Sequence, residues 1–264
     1  MLPIIDTRVI EEIKLPLSKE KIGVKPYCSE QEKSILLSLS SDEKGQWLTN
    51  IKNIIKQNVD SGDLNKVKSS IDFLYLAIKL RMISKGDTLK YQLKCPNKIE
   101  GDFCNNQLIG NDNFDDLIRI KNADVTRKIV DVNNILSFEL MPTKLEYLDH
   151  LTTLDMKQEM DLDKASEEAE YKTIKDNLEL ICVDLSYAIS KVFVKENGDV
   201  KMHDKFTSQE LVDKVIKYLT IDEITKLIQA KSELINMVLR IEKVCSKCKY
   251  KYVKEISNFF EFIT

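Results

Sequence analysis

Two stretches, Cys95-Pro-Asn-Lys-Ile-Glu-Gly-Asp-Phe-Cys104 and Cys245-Ser-Lys-Cys248, govern how the rest of the chain is read. Each lies between two runs of alternating side chains. Leu89, Tyr91 and Leu93 lead into Cys95; Leu239 and Ile241 alternate with Arg240 and Glu242 before Cys245, and Tyr250, Tyr252 and Ile256 follow Cys248. Period two is the pattern of a half-buried strand. A C-x-x-C turn between strands has the shape of half a structural zinc site, and tetrahedral zinc takes four ligands. Neither stretch suffices alone. Together they offer four thiolates, so Cys95, Cys104, Cys245 and Cys248 are the candidate metal ligands, with zinc the expected ion. The eight residues between Cys95 and Cys104 require the first half to tolerate a loop insertion. Cysteines acting as small buried hydrophobes are the competing explanation. A redox dithiol at Cys245 and Cys248 fits less well, because a strand follows where a redox motif needs a helix.

Outward from these turns the chain reads as helices separated by short strands. Ile10, Ile13, Leu15 and Leu17 alternate, as do Ile22 and Val24, giving an extended start or hairpin. Ser29-Glu-Gln-Glu32 has the spacing of a capping box opening a short helix to Ser40, with Ile35, Leu36 and Leu39 on one face. A second helix, Glu43 to Val59, carries Trp47, Leu48, Ile51, Ile54 and Ile55 at helical spacing. The third, Ser69 to Ser84, is apolar on nearly all sides, with Asp72, Lys79 and Arg81 its only polar face and Gly86 its stop. Short apolar runs from Leu108 to Leu140 read as one small antiparallel sheet. Lys144 to Leu154 reads as helix. Residues 155–172 are charged and read as a linker or as the exposed start of a helix. A long helix to Lys191 presents Ile174, Leu178, Ile181, Leu185, Ala188, Ile189 and Val192. Asn197-Gly198 marks a hairpin. Thr207-Ser-Gln-Glu210 and Thr220-Ile-Asp-Glu223 are two further capping boxes. Both cysteine stretches follow one plan: apolar helix, alternating strand, Cys, turn, Cys, strand.

Composition narrows the function. The 264 residues include 40 Lys and Arg against 43 Asp and Glu, interspersed, so no basic stripe marks a nucleic-acid binder. No run of 18 apolar residues suggests a membrane span. Met1-Leu-Pro-Ile-Ile-Asp-Thr-Arg8 lacks the basic-then-apolar pattern of a signal peptide. The six cysteines are therefore expected to be thiols or ligands in a reducing cytoplasm. Nucleotide-binding glycine loops and serine nucleophile elbows are absent. The two histidines, His150 and His203, stand in unrelated contexts, and Cys28 and Cys182 are isolated. The acidic groups around Asp112 and Asp161 lack the calcium-loop pattern.

Several segments, in order, resemble the baseplate hub and hub-assembly proteins of T-even-type contractile-tailed phages. They are Leu15-Pro-Leu-Ser with Ile22-Gly-Val-Lys-Pro26-Tyr and Glu30-Gln-Glu-Lys33; Ile71-Asp-Phe-Leu-Tyr-Leu-Ala-Ile-Lys-Leu-Arg81 through Gly86; the cysteine stretch from Cys95; Ile135 to Leu151; and Cys245-Ser-Lys-Cys248 with Ile256-Ser-Asn-Phe-Phe260. The resemblance implies a non-enzymatic structural or assembly role in the tail baseplate hub. Other hub proteins would be its partners, in the host cytoplasm during assembly or in the virion tail. The Cys95–Cys104 spacing departs from the tighter knuckle of that family. Phe259, Phe260 and Phe262 are candidate anchors for a partner or for the chain's own core, and Ile4–Ile5 a candidate strand donor.

The resulting expectation is an α+β fold, mainly helical, with small antiparallel hairpins bearing the cysteine knuckles. Residues 1–154 and 155–264 form two regions or one compact unit. The alternatives are a zinc-ribbon-like adaptor for nucleic acid or a polymerase, and a thiol-dependent enzyme using Cys245 or Cys248.

Overall fold

The structure, a computed structural model, describes residues 8–39, 46–99, 101–153, 167–196 and 198–256. The chain opens on an antiparallel hairpin of β1 (Glu11–Lys14) and β2 (Lys21–Val24), in which Ile13 faces Ile22. The alternation read from the sequence places Ile13, Leu15, Ile22 and Val24 in the core. Two helices follow, α1 (Ser29–Leu39) and α2 (Gln46–Asn58), the latter burying Leu48, Ile51, Ile54 and Ile55. The start of α1 differs from the expected capping box: Gln31, not Glu32, reaches back, accepting from the N–H of Cys28 at 3.0 Å. Leu36 and Leu37 on this helix are exposed. Helix α2 stops one residue short of Val59, where β3 (Val59–Ser61) begins and pairs with β2.

Helix α3 (Ser70–Lys85) is the central helix that its apolar surface predicts. Ser69 caps it by accepting from the N–H of Asp72, and Gly86 ends it at φ 96°. Asp72 corrects the expected polar face: it is 1% exposed, and its carboxylate accepts from the N–H groups of Leu17 at 2.8 Å and Ser18 at 2.9 Å.

Strand β4 (Thr88–Lys94) then runs to the first cysteine stretch, which holds β5 (Lys98–Ile99) and β6 (Asp102–Phe103), and β7 (Gln107–Asn113) returns beside β4. A single turn, α4 (Phe114–Leu117), leads to β8 (Ile118–Lys121); β9 (Lys128–Asp131), β10 (Leu136–Leu140) and α5 (Glu146–Thr153) follow. Helix α6 (Glu167–Ala188) begins inside the charged stretch and ends before Lys191, because Ile189 and Val192 already lie in β11 (Ile189–Glu196). β-Branched residues at Ile189, Val192 and Val194 favour the strand. Strand β12 (Asp199–His203) pairs with β11 as the expected hairpin, with Gly198 at φ 90°; Asn197 lies outside the described residues. Helices α7 (Ser208–Lys214) and α8 (Ile221–Ser232) open on the two capping boxes at Thr207 and Thr220. The last pair is β13 (Asn236–Val244) and β14 (Lys251–Ile256).

The fold is α+β, but not mainly helical: helix and antiparallel strand share the chain. The short strands from Leu108 to Leu140 do not form one sheet. They divide among a β4–β7 ribbon, a β14-β13-β8 sheet and a β12-β11-β10-β9 sheet. Sequence periodicity gives the faces of a strand but not its partner, so this division was not legible.

Among the described residues two large hydrophobic cores form, besides a small cluster at the cysteines. The first surrounds α3 and includes Met237, Leu239 and Ile241 of β13. The second packs α6, α7 and α8 on the four-stranded sheet and includes Val132, Phe138 and Leu140. Each draws residues from both sides of position 154. The candidate linker lies largely outside the described residues, as do the side chain of Ile174, the aromatic tail residues Phe259, Phe260 and Phe262, and Ile4–Ile5. No described helix is long and apolar enough to cross a membrane.

Candidate metal centre

The two cysteine stretches are built alike. The N–H of Cys95 donates to the carbonyl of Asn106 at 2.9 Å, and the N–H of Asn105 to the carbonyl of Cys95 at 3.2 Å. The N–H of Cys245 donates to the carbonyl of Tyr250 at 2.9 Å, and the N–H of Lys249 to the carbonyl of Cys245 at 2.9 Å. Asn105 and Lys249, each just after the second cysteine, both take positive φ, 48° and 61°. Residue for residue, the two turns have one backbone pattern.

The irregular spacing of the first turn has a simple origin. The N–H of Cys104 donates to the carbonyl of Asn97 at 2.7 Å, and the six residues between them form the β5–β6 hairpin. The insertion leaves and re-enters at one point. Without it the turn would read Cys95-Pro-Asn-Cys104, the C-x-x-C of its counterpart.

Together the turns bring all four sulfurs within 4.8 Å of one another. Cys95 Sγ lies 3.6 Å from Cys248 Sγ, and Cys104 Sγ lies 3.9 Å from Cys245 Sγ. Zn–S bonds of about 2.3 Å at tetrahedral angles place sulfurs about 3.8 Å apart, so these distances match a tetrathiolate centre. Cys95 and Cys245 are fully buried and Cys104 nearly so, against a wall of Leu93, Leu108 and Tyr252.

The electrostatics separate the two turns. The N–H of Cys248 donates to Cys245 Sγ and, against the opposing effect of burial, holds that thiol down at about 6. Cys248 is also lowered, chiefly by the N–H of Tyr250. Burial pushes Cys95 up to about 12. At Cys104 the N–H of Asn106 favours the thiolate, but burial and the neighbouring thiols carry it above its ordinary value. Four thiols this close cannot all ionise without a cation between them; a metal supplies that charge and displaces their protons. The low thiol is fully buried among other sulfurs, an arrangement suited to a ligand rather than to a nucleophile that must meet substrate.

Residues not anticipated from the sequence complete the site. Asn106 Nδ2 donates to Cys245 Sγ at 3.5 Å and to Ser246 Oγ at 3.2 Å, tying one turn to the other. Below them, the Tyr91 hydroxyl donates to Asp112, and Lys243 Nζ donates to Asp112 at 2.9 Å, joining the ribbon to β13. Burial opposes ionisation of Asp112, but Lys243 and Tyr91 outweigh it and hold the carboxyl below its usual range. The register gives the one sequence signal: Tyr91 faces Gly110, where a Cβ would fall in the tyrosine ring. Cys182 is a core residue of the second cluster, as its helical face suggests, while Cys28 is exposed. Neither histidine joins the cysteine group.

The fold and site thus define a class: an α+β scaffold whose cysteine centre fastens two hairpins separated by about 140 residues of chain. The family model of the T4 bacteriophage base plate protein matches residues 7–263. The chain belongs to that family, which assigns it to the phage base plate. No curated protein and no solved structure matches it.

Proposed function

We propose that this protein is a non-enzymatic subunit or assembly factor of the base plate hub, working through protein–protein contacts. We further propose that Cys95, Cys104, Cys245 and Cys248 hold one structural zinc ion. The family membership supports the base plate role; the hub-like segments around Leu15, Ile71 and Cys245 support its assignment to the hub. It would meet the other hub proteins in the host cytoplasm during assembly. The observation that carries the metal is the convergence of two equivalent turns on one four-sulfur cluster. Bound there, zinc would have four protein ligands and no open position, so it would stabilise the fold rather than act on a substrate. A nucleic-acid adaptor and a thiol enzyme have no comparable support.

Metal analysis of untagged protein by mass spectrometry tests the site. One zinc per chain is expected in the wild type and none in Cys245→Ser. Iron at the same stoichiometry would keep the clasp and change the metal. A metal-free protein with four titratable thiols would end the metal reading. Mass spectrometry of finished tails decides between subunit and assembly factor: a subunit persists in them, a factor does not.

A further inference from the structure

We propose that the hairpin inserted between Asn97 and Cys104 docks a second base plate protein, and that the segment it receives is acidic and carries apolar side chains. This rests on the base plate reading above.

The knuckle does not need the insertion. Its hydrogen bonds close across the hairpin's base, between Asn97 and Cys104, and the counterpart turn makes the same pattern with two intervening residues. A hairpin of two-residue strands is not stable by itself; this one is fixed at its base by the cysteine cluster. What it presents is apolar. Phe103 is 57% exposed and Ile99 38%. Lys98 Nζ sits over the Phe103 ring at 4.9 Å, leaving most of that ring in water. Tyr250, just beyond the second knuckle, is exposed as well. An aromatic side chain held out on a fixed base is the usual form of an interface anchor.

Charge identifies the occupant. Lys94, Lys98, Lys247 and Lys249 flank the cysteines and are exposed. Among the described residues none of the four is ion-paired, whereas nearby Lys243 and Lys251 are held by Asp112 and Glu242. In sequence the insertion also carries Glu100 and Asp102, against which the four lysines leave a positive surplus on a chain of net charge −3. Complementarity therefore calls for carboxylates on the partner. Aliphatic Ile99 between these lysines favours a protein over a phosphate backbone, since it is a side chain that protein interfaces bury.

The test measures binding of the full chain to each of the other base plate proteins of the same phage, purified singly, and to a single-stranded dT oligonucleotide. One base plate protein is expected to bind, more weakly as salt rises. Deleting residues 98–103 should lower that affinity at least about tenfold while leaving metal content and melting temperature unchanged. Lys94→Glu with Lys98→Glu and Lys247→Glu should do the same. If the deletion fails to fold, Ile99→Ser with Phe103→Ser replaces it under the same criterion. Undiminished binding by these variants, binding by none of the base plate proteins, or binding by the oligonucleotide alone would overturn the proposal. Hairpin-dependent binding by a chain that holds no metal would support it and defeat only the zinc.

Discussion

Asp72 shows how surroundings reverse what a side chain's chemistry invites. An aspartate on an apolar helix suggests a solvated face, yet this one is buried and holds the turn after β1 through two backbone N–H groups. Its place in the first turn of α3 also suits a negative charge. Asp72→Ala leaves both donors without this acceptor, and should cost about 2–3 kcal/mol, read from the urea midpoint; a loss within error would mean that water replaces the carboxylate. Glu139 offers a second test at this scale. The Ser190 hydroxyl at 2.7 Å, then Lys191 and Arg127, hold its carboxyl below the ordinary range despite burial. The unfolded chain therefore binds the proton more readily. The stabilisation is present above the ordinary carboxylate range and is lost as pH falls through the depressed value. The gap in urea midpoint between wild type and Glu139→Gln should shrink from pH 7 towards about pH 3. A gap that does not change with pH would assign the effect to packing.

Among the elements, the two cysteine hairpins are the informative pair. Helix α3, β4, a knuckle and β7 repeat as α8, β13, a knuckle and β14. The sequence carries this plan without repeated residues, because a knuckle fixes backbone hydrogen bonds and leaves most side chains free. The ribbon below the first knuckle depends on a close approach: Tyr91 lies over Gly110 on the strand opposite, and its hydroxyl reaches Asp112. Gly110→Ala puts a methyl into that ring and must displace it from Asp112 and from Lys243, whose Nζ lies over the ring at 5.7 Å. A loss of about 1–3 kcal/mol is expected, seen as a lower melting temperature. An unchanged melt would show that the ring swings aside freely.

Across the whole molecule, the two cores are interleaved along the chain. Strand β13 enters the core around α3, while β9 and β10 form the sheet on which α6 to α8 pack. The cysteine centre adds a third tie between distant segments. We therefore expect residues 1–154 and 155–264 to fold only together. Expressed separately, each should lack a cooperative thermal transition; mixed, they should recover one. Two fragments that each melt cooperatively alone would establish independent domains.

Much was legible in the sequence because it is local. An all-round apolar run stopped by a glycine set α3, and hydrophobic period set the first hairpin and β13; the Thr207 and Thr220 boxes set two helix starts; Gly198 marked a turn. The four cysteines could be grouped from the sequence because a metal site would require them in number, and the structure brings them together. Tertiary structure alone decided which strands pair, that Ile189 and Val192 leave the helix for a sheet, and that Asp72 is buried. It also showed the eight-residue gap to be a regular knuckle with a hairpin set into it. Those outcomes depend on contacts between residues far apart in the chain. Periodicity records which face of an element avoids water, but not which other element covers it.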